Sequence, residues 1–203
     1  MKNLHVILLF LISLSSHALF EINGQYGLDR QRFGETQQNK ITSTTFSGSL
    51  ALYLYNYTAI EINYGNTETL TDVVNNSSKT SEDFDLLSKT DKVVVESFGL
   101  GIRQSFAHRK ARFIPTLSIG YAKRFAKNSS RGTFRRNADD EEFSYRSDVS
   151  KLRTDSVFAT LGLNIKLTSM LSIRASAQTI FQAFQFNRAQ DNMKYLFGFS
   201  WYL

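Results

Sequence analysis

The chain has 203 residues, of which 42% are hydrophobic and 13% aromatic, with one Pro, no Cys and a formal net charge of +6. Without Cys it has neither disulfides nor thiolate metal sites, and its length fits a single domain. The basic excess is mild and the N-terminus reads as an export signal, so anionic lipid phosphates are better partners than nucleic acid.

Lys2 opens the N-terminus, the apolar run Val6–Leu14 follows with only Ser13 interrupting it, and Ser16 and Ala18 are small residues at the positions a signal peptidase needs. This reads as a signal peptide over residues 1–18, with residues 19–203 as the mature domain. The run is too short for a spanning helix, which takes about 20 apolar residues, and no later stretch reaches that length.

Alternation with period two then recurs along the chain. A first strand near Phe20–Leu28 carries Phe20, Ile22, Tyr26 and Leu28 on one face. A second near Thr44–Tyr55 carries Phe46, Leu50, Leu52 and Leu54, and a third near Tyr57–Gly65 carries Ile60, Ile62 and Tyr64. The fourth, near Val93–Phe106, has Val94, Phe98, Leu100 and Ile102. The fifth, near Phe113–Phe125, has Leu117, Ile119 and Tyr121. The sixth, near Thr154–Leu167, has Val157, Leu161, Leu163 and Ile165. The seventh, near Leu171–Phe181, has Ile173, Ala175 and Ala177. The eighth is the most regular: Tyr195, Phe197, Phe199, Trp201 and Leu203 alternate with Leu196, Gly198, Ser200 and Tyr202. Each segment is near the 9–11 residues that a tilted membrane strand needs.

The connections alternate in length. Asn56, Ala107–Arg112 and Thr168–Met170 are short; Arg30–Ser43, Asn66–Lys92, Ala126–Arg153 and Gln182–Met193 are longer and polar. In an up-and-down antiparallel barrel this puts all short turns on one rim and all long loops on the other, the arrangement of membrane barrels. A lipocalin-like barrel, with its apolar face inside, is the soluble alternative. The second face decides against it. Ser47, Ser49, Ala51, Ser97, Gly99, Gly101, Thr116, Ser118, Gly120, Ala122, Ser172, Ser176, Gly198 and Ser200 are too small and too poor in charge for a water-facing surface. They suit a crowded lumen. The expected fold is therefore all-β, an eight-stranded antiparallel up-and-down transmembrane barrel.

This pattern resembles the small bacterial outer-membrane β-barrel superfamily, the group of the OmpA transmembrane domain and OmpX. Its most specific element is the closing strand, where Tyr195, Phe197, Phe199, Trp201 and Leu203 are similar to the signal read by the barrel assembly machinery. The family usually ends on Phe, where this chain has Leu203. The resemblance implies bacterial outer-membrane residence, with outer-membrane lipids and lipopolysaccharide as surroundings and the assembly machinery as a partner during biogenesis. It does not fix an activity, since the family includes anchors, adhesins, narrow channels and enzymes.

Five ionisable residues have inward phase in the periplasmic half: Glu21, Glu61, Arg103, Lys166 and Arg174. Buried charges need partners, so Glu61 is expected to pair with Arg103, with Glu21 and Arg174 extending the network. Such a network is either a polar plug or the gate of a narrow ion path. On the outer side, Lys123, Arg124, Lys127, Arg131, Arg135 and Arg136 are candidate lipopolysaccharide contacts. The acidic run Asp139, Asp140, Glu141 and Glu142 offers oxygen ligands for a divalent cation, or is a solvated loop. Of the three His, only His108 survives signal cleavage, in a basic turn on the periplasmic rim. That is the wrong place for a lipid-modifying general base. No catalytic residue, resident metal or cofactor is expected. The reading is a monomeric structural or surface-interaction barrel acting through its outer loops, with a narrow pore as the alternative and a lipid-modifying enzyme as a distant third.

Overall fold

The computed structural model describes residues 19–34, 37–74, 84–136, 141–147, 149–182 and 192–203. The expected signal peptide and the aspartates Asp139 and Asp140 lie outside the described residues.

Nine strands follow in order: β1 Leu19–Phe33, β2 Asn39–Tyr53, β3 Thr58–Val74, β4 Phe84–Ser105, β5 Phe113–Arg136, β6 Glu142–Arg146, β7 Ser150–Lys166, β8 Leu171–Gln182 and β9 Lys194–Tyr202. All pairings are antiparallel. Eight strands form a closed ring, β1 through β5 and then β7, β8 and β9, which returns to β1 through Glu21↔Tyr202 to Tyr26↔Phe197. Hydrogen bonds from Phe20 N to the Leu203 carbonyl (3.2 Å) and from Leu203 N to the Phe20 carbonyl (2.8 Å) complete that seam. Closure leaves no open edge in the membrane, where an unpaired backbone group would cost several kcal/mol.

The remaining strand, β6, lies outside the ring. β7 accompanies β5 as far as Ser150 opposite Asn128, and β6 takes up the same edge from Arg146 opposite Arg131. Stacked Phe134 and Phe143 rings (centroids 5.6 Å apart) pin this small hairpin.

The strands on the long-loop side run much further than the alternation suggests. Most of Asn66–Lys92 and Ala126–Arg153, expected to be loop, is ladder: β3 continues to Val74, β4 starts at Phe84 and β5 reaches Arg136. The physical reason is a change of solvent. Above the bilayer no outward apolar face is required, so the two-residue pattern fades, while Thr67, Thr69, Thr71, Val93 and Val95 keep strong strand preference.

Burial is inverted relative to a water-soluble globule. Leu100, Ile102 and Phe197 are 58%, 61% and 64% exposed, while Glu21 and Ser118 are wholly buried and Arg103 is 1% exposed. Soluble proteins almost never bury Arg and Glu while exposing a belt of Leu, Ile and Phe. The apolar face therefore points outward, and the lipocalin-like alternative has no apolar interior to hold a ligand.

Small inward residues make room for the few large ones. A Cβ on Gly101 would sit 2.7 Å from the tip of the Phe158 ring, which also covers Gly120 on the neighbouring strand. One on Gly162 would lie 2.6 Å from Arg174 Nη2. Pro115 costs little. Its carbonyl accepts from Phe106 N (2.9 Å), so its missing N–H faces β4 just where that strand has ended at Ser105.

Candidate functional site: a sealed lower lumen beneath an open outer mouth

The inward positions of all eight ring strands meet in one polar layer near the short turns. Arg103 on β4 is its hub. Its Nε and Nη2 grip Glu61 on β3 at 3.0 and 2.6 Å, and its Nη1 lies 3.0 Å from Glu21 Oε1 on β1. It also donates to Ser49 on β2 (3.0 Å) and Ser118 on β5 (3.3 Å). Glu21 accepts from Tyr53 Oη on β2 at 2.6 Å and from Asn164 Nδ2 on β7 at 3.2 Å. Arg174 on β8 donates to Asn164 Oδ1 (2.9 Å) and stands 3.8 Å from Glu21 Oε1. Asn164 Nδ2 also donates to Tyr202 Oη on β9 (2.8 Å). Asn23 fits with its amide oxygen toward Arg103 Nη1 (2.9 Å) and its nitrogen toward Glu21 Oε1 (2.8 Å).

Two carboxylates thus face two guanidinium groups, and the layer carries no net charge. Low dielectric makes each contact strong and an unpaired member costly. The fork of Arg103 on Glu61 is the bidentate geometry that a lysine could not reproduce. With Glu21, Arg103, Thr116, Ser118, Asn164, Ser172, Arg174 and Ser200 all 1% exposed or less, the side chains at the centre of this level are shielded from water.

Lys166 does not join the carboxylates. It sits at the end of β7, with Nζ 5.0 Å from the Tyr202 ring and 3.5 Å from the Ser169 carbonyl. At the short-turn rim, water and a ring face solvate the ammonium more cheaply than transfer into the dry layer. Arg109 does the same on the other side, 4.3 Å over Tyr53. Tyr53, Asn23, Asn164 and Tyr202 join the layer although their charge does not flag them in the sequence. Their signal was inward phase: Tyr202, between outward Trp201 and Leu203, aims a polar tip into the barrel.

The outer basic residues separate into distinct settings. Lys127 pairs with Glu96 on the outer wall (3.6 Å). Lys123 shares that wall, opposite Phe98 and Asp155 in register. Arg131 is exposed on β5. Arg135 and Arg136 lie against Glu142 (3.3 Å) and Glu141 (3.8 Å), so the segregated charges of this region are the two arms of one hairpin. Arg124 departs from the expectation that it faces lipopolysaccharide. Its even-numbered position on β5 shares the inward phase of Ala122, and its side chain lines the interior of the mouth. Among the described residues no three acidic or His side chains cluster to hold a metal. His108 accepts from Lys110 N (3.1 Å) within its turn and meets Tyr57 edge-on.

Above that polar layer, among the described residues, the lumen widens toward the long-loop side into a cavity of about 880 Å³. Ser43, Thr45, Thr67 and Thr69 line it on one side, Arg124 and Lys194 on another, with Asp29 among the residues of its wall.

No protein-family model and no curated protein matches the sequence. Solved structures match its fold. The N-terminal β-barrel domain of Pseudomonas aeruginosa OprF aligns over 91% of this chain and 97% of its own, with a TM-score of 0.52 and 13% identity. Ail, the attachment invasion locus protein of Yersinia pestis, aligns over 92% and 97% (TM-score 0.45, 11% identity). Neisserial surface protein A aligns over 91% and 96% (TM-score 0.39, 9% identity). The likeness carries architecture alone: the fold is that of the small outer-membrane β-barrels.

Proposed function

We propose that the protein is a non-catalytic, monomeric surface-interaction barrel of the bacterial outer membrane, exported through a cleaved signal peptide. It is inserted by the barrel assembly machinery through the closing strand, and it acts through the elements on its long-loop side. The observation that carries this reading is the contrast between the two ends. The lower lumen is sealed by a layer that ties all eight strands together, and the opposite end extends in long paired strands. β4 and β5 have 22 and 24 residues. A spanning strand takes 9–11, so roughly 40 Å of ordered strand projects beyond the bilayer at about 3.3 Å per residue. A rigid wall of this kind is a platform for surface contacts, and loops on such platforms usually carry function. Lys123, Lys127 and Arg131, on the outer wall of β5, are the residues we assign to lipopolysaccharide phosphates.

The experiment is paired. Purified protein in planar bilayers is expected to give no conductance steps. Cells displaying a variant with β3 and β4 joined by a tight turn near Asn66 and Glu96, which face each other in the ladder, are expected to lose binding to a surface that the parent binds. Reproducible conductance by the parent would favour the narrow pore instead.

A further inference from the structure

We infer that the outer mouth is a binding site for a polar small molecule bearing a phosphate or sulfate group, held by Arg124 and Lys194.

Four observations converge. First, the cavity of about 880 Å³ lies within the range of small-molecule sites and far exceeds a bare anion. Second, it concentrates unpaired positive charge. Several cations of the outer wall have carboxylate partners: Lys92 with Glu68 (2.8 Å), Lys89 with Asp91 (2.9 Å) and Lys127 with Glu96 (3.6 Å). Arg124 and Lys194, half-buried on β5 and β9, have none among the described residues. Asp29, the carboxylate in the cavity wall, instead accepts from Gln31 Nε2 (3.3 Å). Two like charges partly drawn out of water into one space are unfavourable until an anion joins them.

Third, Lys194 is positioned. Its Nζ reaches across the lumen from β9 to Thr67 Oγ1 on β3 at 2.7 Å, and Thr67 Oγ1 in turn shares a hydrogen bond with Thr45 Oγ1 at 3.1 Å. An ammonium held to one hydroxyl still has two donors to offer. Fourth, hydroxyls form part of the lining, beside the apolar Leu28, Ile41, Val93, Val95 and Leu196, which suits a ligand with both hydroxyls and an apolar face. Ser43 and Thr69 form a second hydroxyl pair (3.0 Å), and Ser97 and Gln178 continue the polar wall downward. A tetrahedral oxyanion offers enough acceptors for the guanidinium, the ammonium and adjacent hydroxyls together. The sealed layer makes the site blind, so a ligand enters and leaves by the outer mouth.

The inference takes only the direction of the mouth from the surface reading, and the following test, on folded protein in detergent micelles, is independent of membrane display. Calorimetric titration in ~0.1 M salt, chosen to screen weak surface attraction, uses three probes: glucose 6-phosphate, inorganic phosphate and glucose. Glucose 6-phosphate is expected to bind saturably, with a Kd on the order of 1 mM or tighter, and glucose not at all. Phosphate binding as tightly as the sugar phosphate would support the site and identify the free anion as its ligand; weaker phosphate binding supports the sugar-borne group. The double variant Arg124→Gln/Lys194→Gln is expected to weaken binding at least tenfold. Lys151→Gln, exposed on β7 opposite Lys127, leaves binding unchanged. Both variants are checked for parent-like heat-modifiable migration, which reports the folded barrel. Should neither phosphate probe bind saturably, or should the double variant bind like the parent, the assignment of the mouth is overturned while the surface-barrel reading stands.

Discussion

Arg103 shows how a membrane barrel of this size treats its interior. In a soluble protein a residue 1% exposed is normally aliphatic; here it is a guanidinium with donors directed at Glu61, Glu21, Ser49 and Ser118. Arg103→Met should lower the unfolding free energy in lipid vesicles by about 3–5 kcal/mol, because two buried carboxylates lose their main partner. Urea titration followed by gel migration measures it. Adding Glu61→Gln to that variant should recover part of the loss, since the two residues are coupled; additive losses would show that they act separately. The ionisable members of this layer were legible from strand phase alone, and Lys166 was not separable from them. Phase says which face a residue lies on. It does not say that the end of a strand lets a long side chain turn back to water, as Lys166 does, or that Arg124 lies within the mouth and not at a lipid boundary.

Among the elements, the membrane halves of the strands were readable and the outer halves were not. The apolar pattern exists because lipid demands it, and it stops where lipid stops. From there β3, β4 and β5 continue on backbone ladder and Thr-rich preference, which composition alone presents as polar loop. The ladder between β4 and β5 is unbroken from Ser105↔Thr116 to Ser88↔Thr133, with one irregularity at Leu86/Ser88. At the crowded contact of β4, β5 and β7, Phe158 fills the space left by Gly101 and Gly120. Phe158→Ala should cost about 3–5 kcal/mol by leaving a cavity, read in the same urea titration. Gly120→Val should destabilise too, by overpacking against backbone and ring. A neutral result for both would mean that the ring does not hold these strands together.

At the scale of the whole molecule, one chain meets three solvents. Lipid takes the outward Leu, Ile and Phe residues, a dry layer takes paired charges and hydroxyls, and outer water takes the extended hairpins. The closing strand is where these demands meet, with Phe199 outward and Ser200 wholly buried in successive positions. Phe199→Arg should destabilise the folded barrel by about 2–4 kcal/mol in vesicles, the cost of a charge on the lipid face near the midplane. The central claim is that the apolar face contacts acyl chains, and the chain carries its own reporter, a single Trp. Trp201 lies outward on β9 and is 52% exposed. Its fluorescence in reconstituted vesicles, recorded with lipids brominated along their acyl chains, is the most direct measurement. Strong quenching by the brominated lipid with weak quenching by aqueous iodide is the predicted result; emission untouched by bromine and quenched by iodide would contradict it.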